Sequence, residues 1–154
     1  MARDPIMTWY FVVVVVHWNN KYLLIQEAKH GQTWYLPSGR VEKGESFVDA
    51  AIRETLEESS ILIIPEGILK IEHSSSQSGY ARMRIIYKAR PQNDNSTPKN
   101  IPDNESLKAE WVSLNDLANY SLRGDDVTNL LNYVDQGAEV YPLDLIKLEG
   151  LPFI

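Results

Sequence analysis

Five consecutive valines, Val12–Val16, lie within a nearly continuous run of β-branched and aromatic residues from Thr8 to Trp18. The run is typical of a strand that is covered on both faces, and its length and composition are unlike those of a helix. We therefore predict a doubly covered strand over Thr8–Trp18. Asn19–Lys21 predicts a tight turn, after which Tyr22–Gln26 returns as a hairpin partner.

The composition is that of an ordinary globular chain with an acidic surface. The 154 residues are 44% hydrophobic and 23% charged, with a net charge of -6, and we expect one domain over residues 1–154. An acidic surface repels both nucleic-acid polymers and anionic membranes, which excludes a general binder of either. The absence of cysteine excludes disulfides, zinc-thiolate sites and cysteine nucleophiles. Trp9–Val16 is too short to span a bilayer, so we expect a cytoplasmic protein.

Short strands recur along the rest of the chain. The predicted strands are Trp34–Leu36, Ile61–Ile64 (ended by Pro65), Ile68–Ser74, Ala81–Ala89 and Trp111–Val112, with a turn at Gln77–Gly79. A polar surface loop is predicted over Pro91–Asn104, which contains three prolines. The apolar tail, Tyr141–Ile154, is predicted to pack back on the body.

Helices are predicted between and after these strands. Ser113 caps a short helix that extends through Tyr120, and another begins at Asp125 or Asp126 and ends near Gly137. The order of the elements predicts an α+β fold in which a mixed sheet lies between helices.

The helix before Ile61 has a clear start and an apolar stripe. Ser46 is a good N-cap, Asp49 completes the start, and helical periodicity continues to about Ser60. The stripe predicted to face the core consists of Val48, Ile52 and Leu56.

Three glutamates of this helix, Glu54, Glu57 and Glu58, share one face because they stand at positions i, i+3 and i+4. One interpretation is a solvated acidic helix face, the commoner origin of such a pattern. The other is a cage for a hard divalent cation, since Mg²⁺ and Mn²⁺ prefer carboxylate and carbonyl oxygens. Ala50 and Ala51 continue the face and leave room. A cation there can bridge phosphates and lower the pKa of an attacking water.

The residues around the glutamates favour the cation site. Gly39–Ile61 resembles the Nudix box, G-x5-E-x7-R-E-U-x-E-E-x-G-U with U apolar, over all 23 positions. The matching residues are Gly39, Glu45, Arg53, Glu54, Glu57, Glu58 and Ile61. Thr55 stands where an aliphatic residue is usual, and Ser60 replaces the final glycine. Because a residue with a Cβ adopts the left-handed conformation less readily, Ser60 puts the exit of the helix in question.

The resemblance implies a Nudix-type α/β/α sandwich with a mixed central sheet and a loop-helix catalytic motif. It implies hydrolysis of a phosphoanhydride bond with Mg²⁺, for which Mn²⁺ is a substitute. The metal ligands that it implies are Glu54, Glu57, Glu58, a backbone carbonyl of Ser38 or Gly39, and Glu110, which matches where some members place another ligand or base.

Two of these assignments have equally good structural explanations. The resemblance implies that Glu45 pairs with Arg53 and holds the loop against the helix, yet the pair alone is also what a surface salt bridge looks like. Glu110 is also explained by a solvated glutamate on a strand.

The box leaves the substrate open, because the family acts on nucleoside di- and triphosphates, dinucleotides, nucleotide sugars and coenzymes. Scattered matches resemble the animal Nudix hydrolases that convert 8-oxo-guanine nucleoside diphosphates to the monophosphate and phosphate. These matches are Leu24–Lys29, Trp34–Pro37, Ala89–Pro91, Glu105–Leu107 and Leu122–Arg123. The alternatives are a pyrophosphatase for another nucleotide and a catalytically silent Nudix module that binds one.

Candidate substrate contacts lie outside the glutamates. Trp34 is predicted either to stack on a purine or to be a core tryptophan. Asp125 and Asp126 either accept hydrogen bonds from a guanine edge or cap their helix. Arg84 shares a strand face with Arg82, as phosphate contacts or exposed charges, and Arg40 is a predicted phosphate contact in the catalytic loop. A nucleotide is thus the implied partner, and a homodimer is compatible with the sequence.

Overall fold

The computed structural model describes residues 3–75 and 79–153. Within those residues, seven strands form one sheet and two α-helices flank it. The strands are β1 (Met7–Trp18), β2 (Lys21–Glu27), β3 (Trp34–Tyr35), β4 (Ser38–Arg40), β5 (Ile63–Ser75), β6 (Tyr80–Pro91) and β7 (Ser106–Val112). The helices are α1 (Phe47–Ser59) and α2 (Asp125–Asp135), and 3-10 turns occupy His30–Gln32, Leu114–Asn119 and Leu143–Leu145. No helix in the described ranges is long and apolar enough to cross a membrane.

Strand β1 is central and buried on both faces, which confirms the prediction from its composition. The strand order is β3-β2-β1-β6-β5, with β4 also paired to β1 and β7 to β2, and the β1–β6 pair is parallel. Val12, Val14 and Val16 pack in the core under α1, whereas Val13 and Val15 pack in the core under α2. All five are at most 2% exposed, and each contributes roughly 1.5–3 kcal/mol by burial. A mixed sheet between helical layers confirms the predicted α+β sandwich.

The hairpin after β1 also forms as predicted. Asn19 and Asn20 have φ angles of 52° and 59°, the left-handed backbone that a two-residue hairpin turn of the I′ type requires. The turn sets His17 opposite Tyr22, and β2 then carries β7 on its other edge.

Helix α1 buries a different face from the predicted stripe. Leu56 is 44% exposed, so its assignment to the core is wrong, whereas Ala50, Ala51 and Thr55 are fully buried. Small side chains let the helix lie close to the sheet, and the Thr55 hydroxyl donates to the Ala51 carbonyl at 2.8 Å. The other two stripe residues, Val48 and Ile52, pack at the margin of the core.

Pro65 does not end a strand, so the prediction of separate strands over Ile61–Ile64 and Ile68–Ser74 is wrong. Strand β5 continues through Pro65, and its register shifts between Pro65 and Gly67. A proline without an N–H is tolerated at bulges and on edge strands, and β5 is the edge of the sheet. Of the turn predicted at Gln77–Gly79, the first two residues lie outside the described residues.

The exit of α1 uses the backbone conformation that Ser60 was expected to resist. Ser60 has φ 62°, and its N–H donates to the Leu56 carbonyl at 2.9 Å, at a cost of roughly 1–2 kcal/mol relative to glycine. Gly137 adopts a positive φ just after α2. The predicted packing of the tail forms in its first part only: Tyr141 and Ile68 exchange two backbone hydrogen bonds of 2.8 Å, and Leu143 and Ile146 pack against the core. The apolar side chains of Leu148, Leu151 and Phe153 are exposed.

Candidate active site

Strand β4 and helix α1 bring the turn at Ser38 and Gly39 against the glutamates of the helix. Ser46 starts α1 by accepting a hydrogen bond from the Asp49 N–H at 3.1 Å, and β4 is held by antiparallel pairing with β1. The Ser38 N–H donates to Glu58 Oε1 at 2.8 Å. The backbone before the loop is therefore fastened to the last turn of the helix.

Arg53 holds the loop, the strand and the helix together. Its guanidinium donates to both oxygens of Glu45, at 2.7 and 2.9 Å, and to the Arg40 carbonyl at 3.0 Å. Its Nη1 also donates to Glu54 at 2.9 Å and to Glu57 at 3.2 Å. The Arg53 hydrogen bonds lower the pKa of Glu45, and the same contact raises the pKa of Arg53 above its ordinary value. Both groups stay charged over the whole physiological range.

A cluster of carboxylates lies beside the Arg53 guanidinium. Oxygens of Glu54, Glu57 and Glu105 all lie within 4.8 Å of one another. Glu58 is 8% exposed and is tied to Ser38. Burial raises the pKa of Glu54 to about 7 and raises that of Glu58 well above its ordinary value, and neighbouring carboxylates add to both effects. Full ionisation of these carboxylates is thus unfavourable without an added positive charge.

Gly39 is needed because of space and not because of its backbone angles. A Cβ at this position would lie 2.1 Å from the Glu54 carboxyl carbon and 2.2–2.4 Å from its two oxygens. Any side chain here would push the Glu54 carboxylate out of the cluster. The glycine therefore makes room for an acidic group against the backbone.

The donor set fits a hard divalent cation. Carboxylates with backbone carbonyls nearby match the oxygen ligands of Mg²⁺ and Mn²⁺, whereas zinc and copper sites usually include nitrogen or sulfur. For Glu58, the Ser38 N–H is the one hydrogen-bond donor found within the described ranges. A buried carboxylate with so little compensation is stabilised by a cation, because burying an unpaired charge is costly. Glu54, Glu57, Glu58 and Glu105 are the side chains that could hold it.

A cleft of about 380 Å³ opens next to the cluster. Gly39 and Glu58 line it, as do the guanidinium-bearing residues Arg82, Arg84 and Arg123. A cation held by carboxylates and the arginines of the same cleft can together neutralise a phosphate chain.

A second cleft, of about 450 Å³, continues toward α2 and shares Tyr35 and Arg84 with the first. The Tyr35 hydroxyl donates to Asp126 Oδ2 at 2.7 Å and accepts from Arg84 Nη1 at 3.2 Å. Arg84 also donates to Glu72 at 2.7 Å, and the Arg123 guanidinium stacks 3.7 Å from the Tyr35 ring centre. Burial and the Asp126 contact raise the pKa of Tyr35, which keeps it a neutral donor. This wall is rigid and internally paired.

The family model for the NUDIX domain matches residues 9–132 of this chain. The chain belongs to the Nudix family. Among solved structures, a Nudix hydrolase from Nitrosomonas europaea has a TM-score of 0.73 and 26% identity, covering 91% of this chain and 96% of that one. The shared fold places the loop between β4 and α1, together with helix α1, on one face of the sheet of this Nudix hydrolase.

Curated relatives carry phosphatase names. The 8-oxo-dGDP phosphatase NUDT18 of Mus musculus is 38% identical over 125 residues, which are 79% of this chain and 37% of the relative. The Homo sapiens protein of that name is 35% identical over 135 residues, 86% of this chain and 40% of the relative. This chain therefore spans well under half the length of these two proteins. Phosphatase NudJ of Escherichia coli O1:K1 / APEC is 27% identical over 144 residues, which are 92% of both chains.

Several residues singled out from the Nudix box come together in space. Glu54 and Glu57 share a cluster, Glu58 lies behind them, and Glu45 binds Arg53. The Glu45–Arg53 pair forms as expected. The roles of these residues in metal binding and catalysis stay predictions, as does metal binding by a backbone carbonyl of Ser38 or Gly39.

Other predicted residues lie elsewhere. Trp34 is 8% exposed, edge-on to Tyr120 with ring centres 5.0 Å apart, and Lys108 Nζ lies 5.5 Å from its ring centre. Glu110 lies opposite Leu24 in the β2–β7 register, on the sheet face turned away from α1, and accepts from the Tyr120 hydroxyl at 2.5 Å. These positions agree with the structural alternatives given for the two residues, a core tryptophan and a strand glutamate, and their roles in substrate and metal binding stay predictions.

Of the arginines and aspartates predicted to contact the substrate, only some line the two clefts. Arg40 stacks 4.5 Å from the Trp9 ring centre and lines neither cleft, whereas Arg84 lines both. Asp126 faces the second cleft, while for Asp125 no hydrogen bond is found within the described ranges.

The sequence missed Glu105 as a member of the cluster, and missed Tyr35 and Arg123 in the clefts. Glu105 stands immediately before β7, far along the chain from the box, and only the pairing of β7 with β2 brings it back to α1. Its place in a matched segment, Glu105–Leu107, was the one signal that could have identified it.

Proposed function

We propose that this Nudix hydrolase converts 8-oxo-dGDP to 8-oxo-dGMP and inorganic phosphate. The observation that carries the proposal is the junction of the two clefts, which share Tyr35 and Arg84. A nucleotide that follows both clefts has its phosphates beside the carboxylate cluster and its base beside Asp126. The names of the NUDT18 relatives support the same substrate.

The base end of the cleft suits an oxidised purine. A guanine that carries an oxo group at C8 has an N–H at N7, which guanine lacks. The Asp126 carboxylate can accept from such an N–H, and its orientation is set by the Tyr35 hydroxyl at 2.7 Å. Hydrogen-bonded groups that would be left unpaired by the wrong base are an effective source of discrimination.

The reaction is the addition of water across the phosphoanhydride bond. Water attacks one phosphorus, the bridging P–O bond breaks, and the products are the nucleoside monophosphate, phosphate and one proton. When bound, a divalent cation would neutralise charge on the diphosphate and acidify the attacking water. We assign its binding to Glu54, Glu57 and Glu58 together with Glu105.

The other residues orient the reactants. Arg82, Arg84 and Arg123 line the cleft and would contact the phosphates. Arg53 holds the catalytic loop and two of the carboxylates through its five hydrogen bonds. A carboxylate of the cluster within hydrogen-bond reach of the attacking water would accept its proton.

The test is a nucleotide panel with separate detection of phosphate and pyrophosphate. With Mg²⁺, the protein is expected to release phosphate from 8-oxo-dGDP faster than from dGDP, triphosphates, nucleotide sugars or dinucleotides. Glu57→Gln is expected to abolish release, and Glu110→Gln is the matched control. Unchanged turnover in Glu57→Gln would contradict the site, whereas faster turnover of another nucleotide would contradict the substrate alone.

A further inference from the structure

The loop over residues 92–105 is fastened to the C-terminal end of helix α1. The last carbonyls of a helix have no partner within the helix. Here the Glu57 carbonyl accepts from Lys99 Nζ at 3.2 Å, the Glu58 carbonyl from Ser106 Oγ at 2.6 Å, and the Ser59 carbonyl from the Lys99 N–H at 2.8 Å. Three consecutive carbonyls of the catalytic helix are thus bound by Lys99 of this loop and by Ser106, the first residue of β7.

Lys99 is the centre of this attachment and is unusually buried for a lysine. Its side chain is 6% exposed, and its ammonium lies 2.5 Å from Asp103 Oδ1. Lysine is almost never this buried unless it is paired, and because Asp103 is 53% exposed, the pair with it offsets only part of the desolvation of the lysine. The burial therefore calls for another explanation.

Asp103 connects Lys99 to the backbone of Glu105. The same Asp103 Oδ1 accepts from the Glu105 N–H at 2.8 Å and from the Ser106 N–H at 3.2 Å. Glu105 is therefore anchored on its own amide and at the next residue, between Asp103 and the helix end. Its carboxylate lies with those of Glu54 and Glu57, within 4.8 Å.

We propose that Lys99 and Asp103 are positioning residues that place the Glu105 carboxylate in the metal-binding cluster. The proposal rests on the cation site of the proposed function. It assigns to the Lys99–Asp103 ion pair the task of fixing a ligand that lies on a loop, where a carboxylate would otherwise move over several positions. Ligand-orienting partners of this kind typically change metal affinity about 10–100-fold when they are removed.

Charge and geometry predict opposite signs for the loss of Lys99, which makes the proposal testable. A positive charge beside carboxylates repels a cation, so charge alone predicts that Lys99→Met strengthens metal binding. A positioning role predicts that the same variant weakens it. The matched control is Lys88→Met, which removes a lysine paired with Glu66 at 2.9 Å on the far edge of the sheet.

The experiment measures Mn²⁺ affinity of the full chain by electron paramagnetic resonance without nucleotide. Lys99→Met and Glu105→Gln are each expected to weaken Mn²⁺ binding about 10-fold, and Lys88→Met to leave it unchanged. In the Glu105→Gln background, Lys99→Met should cause no further loss, because its effect acts through Glu105. Stronger binding in Lys99→Met, or a full additional loss in the double variant, would overturn the proposal.

Asp103→Ala keeps the proposal open to refutation if Lys99→Met does not fold. The Asp103 side chain is 53% exposed, so its removal leaves the core intact, and we expect the same weakening of Mn²⁺ binding. Unchanged binding in this variant overturns the proposal. If Glu54→Gln weakens binding but Glu105→Gln does not, only the positioning proposal fails. If neither does, the cation site of the proposed function fails as well.

Discussion

The two sides of the substrate cleft are built on opposite electrostatic principles. On the α1 side, four carboxylates crowd together, with Arg53 as the cation that binds two of them. On the α2 side, Arg84 is bound to Glu72, Tyr35 and, more distantly at 3.8 Å, Asp126. The first wall has excess charge that a ligand must neutralise, whereas the second is complete without one.

This difference separates two tasks. A wall with uncompensated charge binds a cation strongly and is suited to chemistry, but it destabilises the fold until the cation is present. A wall whose polar groups are already paired is rigid and suited to recognising a base by its shape. Substitutions on the two walls should therefore differ in the size of their effects on activity and in the sign of their effects on stability.

The largest effect is expected from Glu58→Gln on the acidic wall. Removing a ligand charge next to the reacting phosphate should lower kcat/KM for 8-oxo-dGDP about 10³-fold, or about 4 kcal/mol of transition-state stabilisation. Steady-state phosphate release measures it. Glu110→Gln, on the other face of the sheet, should change the rate less than about 3-fold, because its carboxylate binds Tyr120. Equal losses in the two variants would remove the distinction between them.

Gly39→Ala should have the next largest effect, although it changes no charge. The new methyl would occupy the position of the Glu54 carboxyl group, so we expect Mn²⁺ affinity to fall about 10–100-fold. Calorimetric titration with Mn²⁺ measures this. Gly44→Ala in the same loop is the control, because a Cβ there meets nothing within 4 Å, although its φ of +75° strains the backbone by roughly 1–2 kcal/mol. Wild-type affinity in Gly39→Ala would show that Glu54 has another place to bind.

The acidic wall was largely predictable from the sequence, and the paired wall was not. Glu54, Glu57 and Glu58 lie on one helix, where local spacing fixes which side chains meet. Glu105 and the Tyr35–Asp126 contact join residues that are distant in sequence, and only the register of β7 and the packing of α2 bring them together. A pattern could not distinguish the buried Trp34 from a stacking residue, because both are aromatic residues next to a strand.

The fold shows the same division between local and distant determinants. The valine run and the Asn19–Asn20 turn specify β1 and its hairpin locally, and both form as predicted. Pro65 and Leu56 were assigned wrongly because the outcome depends on neighbours: β5 is an edge strand, and α1 lies so close to the sheet that small residues fill the contact.

On the paired wall, Asp126→Asn should affect the choice of base more than the reaction itself. Replacing the acceptor oxygen by an amide should lower the preference for 8-oxo-dGDP over dGDP about 10-fold, consistent with the roughly 1 kcal/mol of a lost hydrogen bond. The ratio of the two kcat/KM values measures this. Asp125→Asn is the matched control from the adjacent position and should leave the ratio unchanged. A loss shared equally between both substrates would place the base elsewhere.

The smallest effect, and the one whose sign differs between the walls, is on stability without metal. Because burial raises the pKa of Glu58 and Glu54 in the fold, the native state binds more protons than the unfolded chain between their ordinary pKa and the raised one. Stability of the metal-free protein should therefore fall as pH rises from about 4.5 to about 7. Glu58→Gln keeps an oxygen for the Ser38 N–H but removes the charge, so in EDTA at pH 8 it should raise Tm by about 2–4 °C.

Arg84→Gln should lower Tm in the same buffer, because it leaves Glu72 without its closest cation, 2.6 Å away. Thermal unfolding of Glu58→Gln and Arg84→Gln, with and without Mg²⁺, tests both expectations. Mg²⁺ should raise Tm of the wild type and of Arg84→Gln but have little effect on Glu58→Gln. If Glu58→Gln is less stable than the wild type in EDTA, the acidic wall is compensated within the fold, and the two walls would not differ in the way their charges imply.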